Sequence, residues 1–247
     1  HSFPTRRSSD LKEDALGSAI ETLERAMKSG FEDAAIRETL AKFYFKDGAP
    51  EKAKEVCSSN LTKIKAMLAL GELDQAKKEL DSIDDNLKED PLVYSLKAEY
   101  YYTSKDYEKA LEIVDKYAEK VPNHPLIFQM RALIYEAQNN EYMATLNWAK
   151  YHLVRGNKDV AINEFMNAYQ LKNDDTDMIA TLANLLETSG EVHHSMELYE
   201  RLVQLEPNNR SALEKLSRYW ESNGDNRLAI QYMEKALKGE YKKSKYK

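Results

Sequence analysis

Lys150, Asn184 and Arg218 are the residues whose types and spacing best suit recognition chemistry: two cations flank an amide, each 34 positions from the next. The ammonium and the guanidinium would donate charge-assisted hydrogen bonds to a carboxylate, and the amide would pair with an extended backbone. The alternative is an ordinary solvated polar face. Signals for catalysis are weaker. His124 stands in a Pro-Asn-His-Pro turn, His152 at an apolar helix position, and His193 and His194 are adjacent. Neighbours on a helix point about 100 degrees apart, so this pair lacks the i, i+4 spacing of a helical metal site. The chain has no glycine-rich phosphate loop, no G-x-S-x-G and no Cys-x-x-Cys. Cys57 is the single cysteine, so no internal disulfide forms and a packed thiol is expected. Neither an enzyme nor a bound metal or cofactor is predicted.

The spacing of 34 runs through the elements that must position these residues. Ala19 and Ala53, then Ala76, Ala110 and Ala144, then Ala161, Ser195 and Ala229 recur at that stride. Blocks 142–175, 176–209 and 210–243 align without gaps. Within them, positions 7, 8 and 11 hold Trp148, Ala149 and His152, then Leu182, Ala183 and Leu186, then Leu216, Ser217 and Trp220. Spacings of three and four put these on one helical face. Gly156, Gly190 and Gly224 share position 15, where a left-handed residue would end a first helix. Positions 20, 24 and 27 hold Ala161, Phe165 and Ala168, then Ser195, Tyr199 and Leu202, then Ala229, Met233 and Ala236, which form the apolar face of a second helix. Short residues at 8 and 20 predict close approach of the pair, with the large residues at 11 and 24 filling the space beside them.

This pattern resembles the tetratricopeptide repeat, W-x2-L-G-x2-Y followed by A-x3-F and Pro, as in Leu182, Ala183, Leu186, Ser195, Tyr199 and Pro207. No block matches at every position; position 4, for example, is Thr145, Ile179 and Leu213 rather than an aromatic. The resemblance covers about residues 18–243 and implies an all-α helix-turn-helix solenoid, a right-handed superhelix whose first helices line a concave binding face. Positions 2, 5, 9 and 12 of those helices would form the floor. Lys150, Asn184 and Arg218 stand at position 9, roughly 10 Å apart if neighbouring helices pack normally. The expected function is a protein-protein interaction scaffold or adaptor holding a peptide or partner protein. The carboxylate clamp of the family's cochaperones is not reproduced: its slots hold Leu146, Lys150, Thr181, Ser211 and Lys215, and only the last keeps a matching charge. A role in gripping chaperone tails is therefore not expected.

Upstream, residues 91–124 carry Ala98, Tyr101, Ala110, Val114, Tyr117 and Pro122 at the repeat offsets, and residues 34–60 form a partial repeat with Leu40, Ala41, Tyr44, Gly48, Ala53 and Cys57. The stride breaks twice. Between Ala53 and Ala76 it shortens to 23, which predicts shortened helices with a turn at Ser58, Ser59 and Asn60. Between Ala144 and Ala161 it is 17, half a unit, which inserts one extra helix within 125–171. The helix over 141–155 fits both roles, with Ala144, Trp148 and Tyr151 as a second helix and Trp148, Ala149 and His152 as a first. A three-helix element is expected there, and turns are expected near Gly48, Gly71, Gly156, Gly190 and Gly224.

The two ends read differently. Residues 1–11, HSFPTRRSSDL, lack periodicity and resemble a translated sequencing-library adapter; the native alternative is an arm whose Asp10 caps a helix. The array is expected over 12–243, followed by a basic tail at 244–247. The native N-terminus is expected to be missing, so a signal sequence stays open and the cytoplasm is a default location. The 247 residues are 32% charged, with a formal net charge of −6, an acidic balance that argues against a dedicated nucleic-acid binder. Lys238, Lys242, Lys243, Lys245 and Lys247 are the local exception, read as a solvated end complementing the last helix dipole. No apolar stretch approaches the ~20 residues of a membrane span. Two other classes stay open: the recognition arm of a larger transferase or kinase, and a helical-repeat RNA binder using its sixteen tyrosines for stacking. The oligomeric state is left open.

Overall fold

Helix starts and stops recur with the repeat. A computed structural model describes residues 8–31, 33–84 and 90–244, and every regular element among them is an α-helix. The chain divides into two compact units, His1–Pro122 and Asn123–Lys247. The first holds α1 (Ser8–Lys28), α2 (Ala34–Lys46), α3 (Pro50–Val56), α4 (Asn60–Ala69), α5 (Leu73–Asp81), α6 (Pro91–Thr103) and α7 (Tyr107–Lys120). The second holds α8 (Pro125–Ala137), α9 (Glu141–Val154), α10 (Lys158–Leu171), α11 (Thr176–Thr188), α12 (Val192–Leu205), α13 (Arg210–Ser222) and α14 (Asn226–Ser244).

The first helices α2, α6, α11 and α13 open on side-chain caps. Asp33, Asp90, Asp175 and Asn209 accept backbone N–H groups of the first turn, at 2.7 to 3.1 Å, which satisfies donors that have no partner within the helix. His124 does the same for α8 through Nδ1. First helices close on one repeated turn. The amide at position 16 donates to the carbonyl at position 11, as in Asn157 to His152, Glu191 to Leu186 and Asp225 to Trp220, each 2.9 Å. The amide at position 15 donates to position 12, completing the double bond pattern of a Schellman cap. Position 15 is left-handed throughout: Gly48, Gly71, Gly156, Gly190 and Gly224 have φ between 72° and 89°. Lys105 (φ 62°) and Asn139 (φ 57°) occupy the same position in the repeats that lack a glycine there.

The small residues are where the paired helices touch. Ala41, Ala53, Ala98, Ala110, Ala149, Ala161 and Ala183 are at most 1% exposed. Where serine replaces alanine, its hydroxyl bridges the pair: Ser195 Oγ donates to the Ala183 carbonyl and Ser217 Oγ to the Ala229 carbonyl, both at 2.8 Å. These bonds join positions 8 and 20, the two predicted to face each other, and they satisfy buried hydroxyls that would otherwise cost stability. In the second unit a continuous core runs from Leu146 to Leu216, centred on Phe165, Ile179, Leu182 and Leu202. Among the described residues of the first unit, one core runs from Ile20 to Ala53 and another from Ile64 to Leu96.

Both breaks in the stride are visible. At the first, α3 has only 7 residues and α4 only 10, against 14 and 13 in α7 and α6. Glu38 of α2 secures the shortened turn. Its carboxylate accepts from the Ser58 and Ser59 amides at 2.8 and 2.7 Å and from the Thr62 hydroxyl at 2.6 Å. Burial opposes that charge, but the donors outweigh it and hold the carboxyl below its ordinary pKa. At the second break, α9 packs against both α8 and α10, with Ala144 and Ala149 both buried, so this one helix serves as second helix of one repeat and first helix of the next.

The N-terminal helix departs from the pattern. α1 begins at Ser8 and so takes in Ser8–Leu11 of the adapter-like string; residues 1–7 lie outside the described residues. Ala19, the first member of the small-residue series, is half-exposed, and the adjacent Ile20 is buried instead.

Candidate interaction surfaces

Lys150, Asn184 and Arg218 fall on α9, α11 and α13, the first helices of three successive repeats in the second unit. Asn184 and Arg218 are exposed and Lys150 is half-buried. Among the described residues no hydrogen bond joins the three. Each cation instead has an acidic neighbour. Asp175, the cap of α11, accepts the Tyr142 hydroxyl at 2.5 Å and the Met178 amide at 3.0 Å. Burial pulls the Asp175 carboxyl upward, but those bonds and the charges of Lys150 and Lys172 leave it below the ordinary carboxylate range. Glu214 is bonded by Arg210 at 2.6 Å, and this bond, then the charges of Arg210 and Arg218, lowers its pKa.

Between them, Lys215 of α13 donates to both carboxylate oxygens of Glu187 on α11 at 2.8 Å. Glu187 also accepts the Tyr199 hydroxyl at 3.2 Å, and burial followed by this charge pushes the phenol upward. The charge around Lys150, Asn184 and Arg218 is therefore mixed. This surface offers donors and acceptors to an extended chain, and any incoming carboxylate competes with Asp175 and Glu214 for its cations.

A second surface was not anticipated from sequence. A groove of about 630 Å³ lies between the second helices α10 and α12, over α11. Its apolar lining comes from Ile162 and Met166 on α10, Leu182 and Leu186 on α11, and Leu198 on α12. Asp159, Glu191 and Glu197 supply its charge, with His194 beside them, and no lysine or arginine lines it. The signal that could have revealed it is an apolar residue off the core stripe: Met166 is one position past the Phe165 core site and is 45% exposed.

His193 and His194 face Glu197 and Glu191 respectively, at 3.5 and 3.0 Å, with ring planes 86° apart. Among the described residues no group of three or more His, Cys, Asp or Glu side chains is placed to hold a metal. The Cys57 thiol is half-buried, and burial, followed by the charge of Glu38, pushes its pKa up, the opposite of what a nucleophile needs. No helix of the described residues is long and apolar enough to cross a membrane.

Paired helices with a Schellman turn at position 15 and small residues at 8 and 20 define a helical-repeat protein of the kind used for protein-protein interaction. Residues 61–125 match the family model of the tetratricopeptide repeat, and the chain is built from helix-turn-helix repeats of that type. No curated protein matches it. Among solved structures it is similar to a MamA protein at 20% identity, covering 63% of this chain and 94% of that one with a TM-score of 0.41. A second MamA structure matches at 20% over 74% of this chain and 97% of that one, TM-score 0.41. A MamA RS-1 ArsTM double mutant matches at 15% over 85% and 96%, TM-score 0.38.

Proposed function

We propose that this chain is an interaction scaffold that holds an extended segment of a partner protein across α9, α11 and α13. The observation that supports this reading is the recurrence of Lys150, Asn184 and Arg218 at one position of three aligned first helices, all with access to solvent. Because Asp175 and Glu214 partly neutralise the two cations, the surface favours a segment with one carboxylate over a strongly acidic one. Asn184 would pair with the segment's backbone.

Selecting a random peptide library against the chain tests this. Peptides with a free C-terminal carboxylate or a single acidic side chain should be enriched, and the joint change Lys150→Glu and Arg218→Glu should abolish their binding by turning two attractions into repulsions. Folding should change by less than about 1 kcal/mol, since both sites are solvent-accessible. A peptide set enriched equally by both proteins would move the binding surface elsewhere.

A further inference from the structure

The last helix carries an uncovered apolar face. Ile230 and Leu237 of α14 are 59% and 51% exposed, and their spacing of seven places them on one side, two turns and about 10 Å apart. Arg227 and Lys238 flank this face, with Lys238 only loosely engaged by Glu234 at 3.6 Å. Over residues 226–244 the sequence has five lysines and arginines against two glutamates. This is a cationic amphipathic helix in a chain whose net charge is −6.

The groove between α10 and α12 is its complement: an apolar floor bordered by Asp159, Glu191 and Glu197 without a facing cation. Within one molecule α14 is already packed against α13, with Ile230 and Leu237 turned to solvent, so filling the groove requires another molecule. We propose that the α10–α12 groove receives the exposed face of α14 from a second copy of this chain. Ile230 and Leu237 enter the apolar floor, while Arg227 and Lys238 meet Glu191 and Glu197 at the rim. The contact joins two different surfaces, so a bound pair still offers one free groove and one free helix. Association is then head-to-tail and does not stop at a dimer unless a ring closes.

Sedimentation velocity on the full chain across a concentration series tests this. The average mass should rise with concentration and fall as salt screens the rim charges. Glu191→Lys with Glu197→Lys should leave a monomer, and so should Arg227→Glu with Lys238→Glu, with helical circular dichroism confirming that each still folds. Mixing the two monomeric variants should restore association, because each reversed surface then meets its reversed partner. Leu237→Ser provides an uncharged check and should also yield a monomer. A wild-type chain that stays monomeric at every concentration overturns the proposal, and so does association that survives both reversals or a mixture that remains monomeric. None of these substitutions touches Lys150, Asn184 or Arg218, so the result is independent of the first-helix surface.

Discussion

Lys105 is held at a φ of 62°, a backbone state that costs a residue with a Cβ about 1–2 kcal/mol. It persists because the turn around it is fixed on both sides: its own amide donates to Tyr102 at 3.0 Å and the next amide to Tyr101 at 2.9 Å. Asn139 stands in the same place, and its short amide tolerates that state better. Lys105→Gly should therefore stabilise the protein by ~0.5–1 kcal/mol, seen as a higher urea midpoint with unchanged slope, and Asn139→Gly should gain less. No gain at Lys105 would mean that its side chain contributes something offsetting the strain. Glycine at position 15 was legible in sequence wherever it occurs. Lys105 and Asn139 were not, because a left-handed residue announces itself only through the residue type that adopts it most easily.

At the scale of the element, the close contact of helix pairs is the feature most sensitive to one methyl group. Ala229 is 7% exposed, and its carbonyl accepts the buried Ser217 hydroxyl. Ala229→Leu should force α13 and α14 apart and destabilise the last pair by ~1–3 kcal/mol. A lowered denaturation midpoint is the measurement, and an unaltered one would contradict the contact. The helices, their pairing, both breaks and the double role of α9 were readable because each leaves a periodic mark: small residues at fixed stride, apolar residues three and four apart. The α10–α12 groove leaves none. It arises from the spacing of two helices that are not neighbours in sequence, and its lining residues look, one at a time, like ordinary partly buried apolar positions. The mixed charge around Lys150 and Arg218 was hidden for a similar reason: Asp175 reaches Lys150 from the start of α11, two helices on, not from a neighbouring turn of α9.

For the molecule as a whole, the two units should not respond alike to denaturant. Trp148 and Trp220 are the only tryptophans, and both lie in Asn123–Lys247, so indole fluorescence reports that unit while helical ellipticity reports both. His1–Pro122 contains the shortest described helices, whereas in the second unit a continuous core spans α9 to α13. Stability in repeat arrays is close to a sum of local terms, so ellipticity should begin to fall at lower urea than fluorescence. Superimposed curves would show a single cooperative transition instead. The shared helix α9 has a further consequence, best stated as parity. Ahead of it the first-helix role belongs to the even-numbered helices α2, α4, α6 and α8; from α9 onward it belongs to the odd-numbered α9, α11 and α13. Adding or removing a whole pair anywhere leaves that inversion in place, and only a change by one helix, 17 residues, undoes it. Grafts between the two stretches must therefore be counted in single helices, because a module moved across α9 in the frame of its old repeat would put second helices where first helices should be.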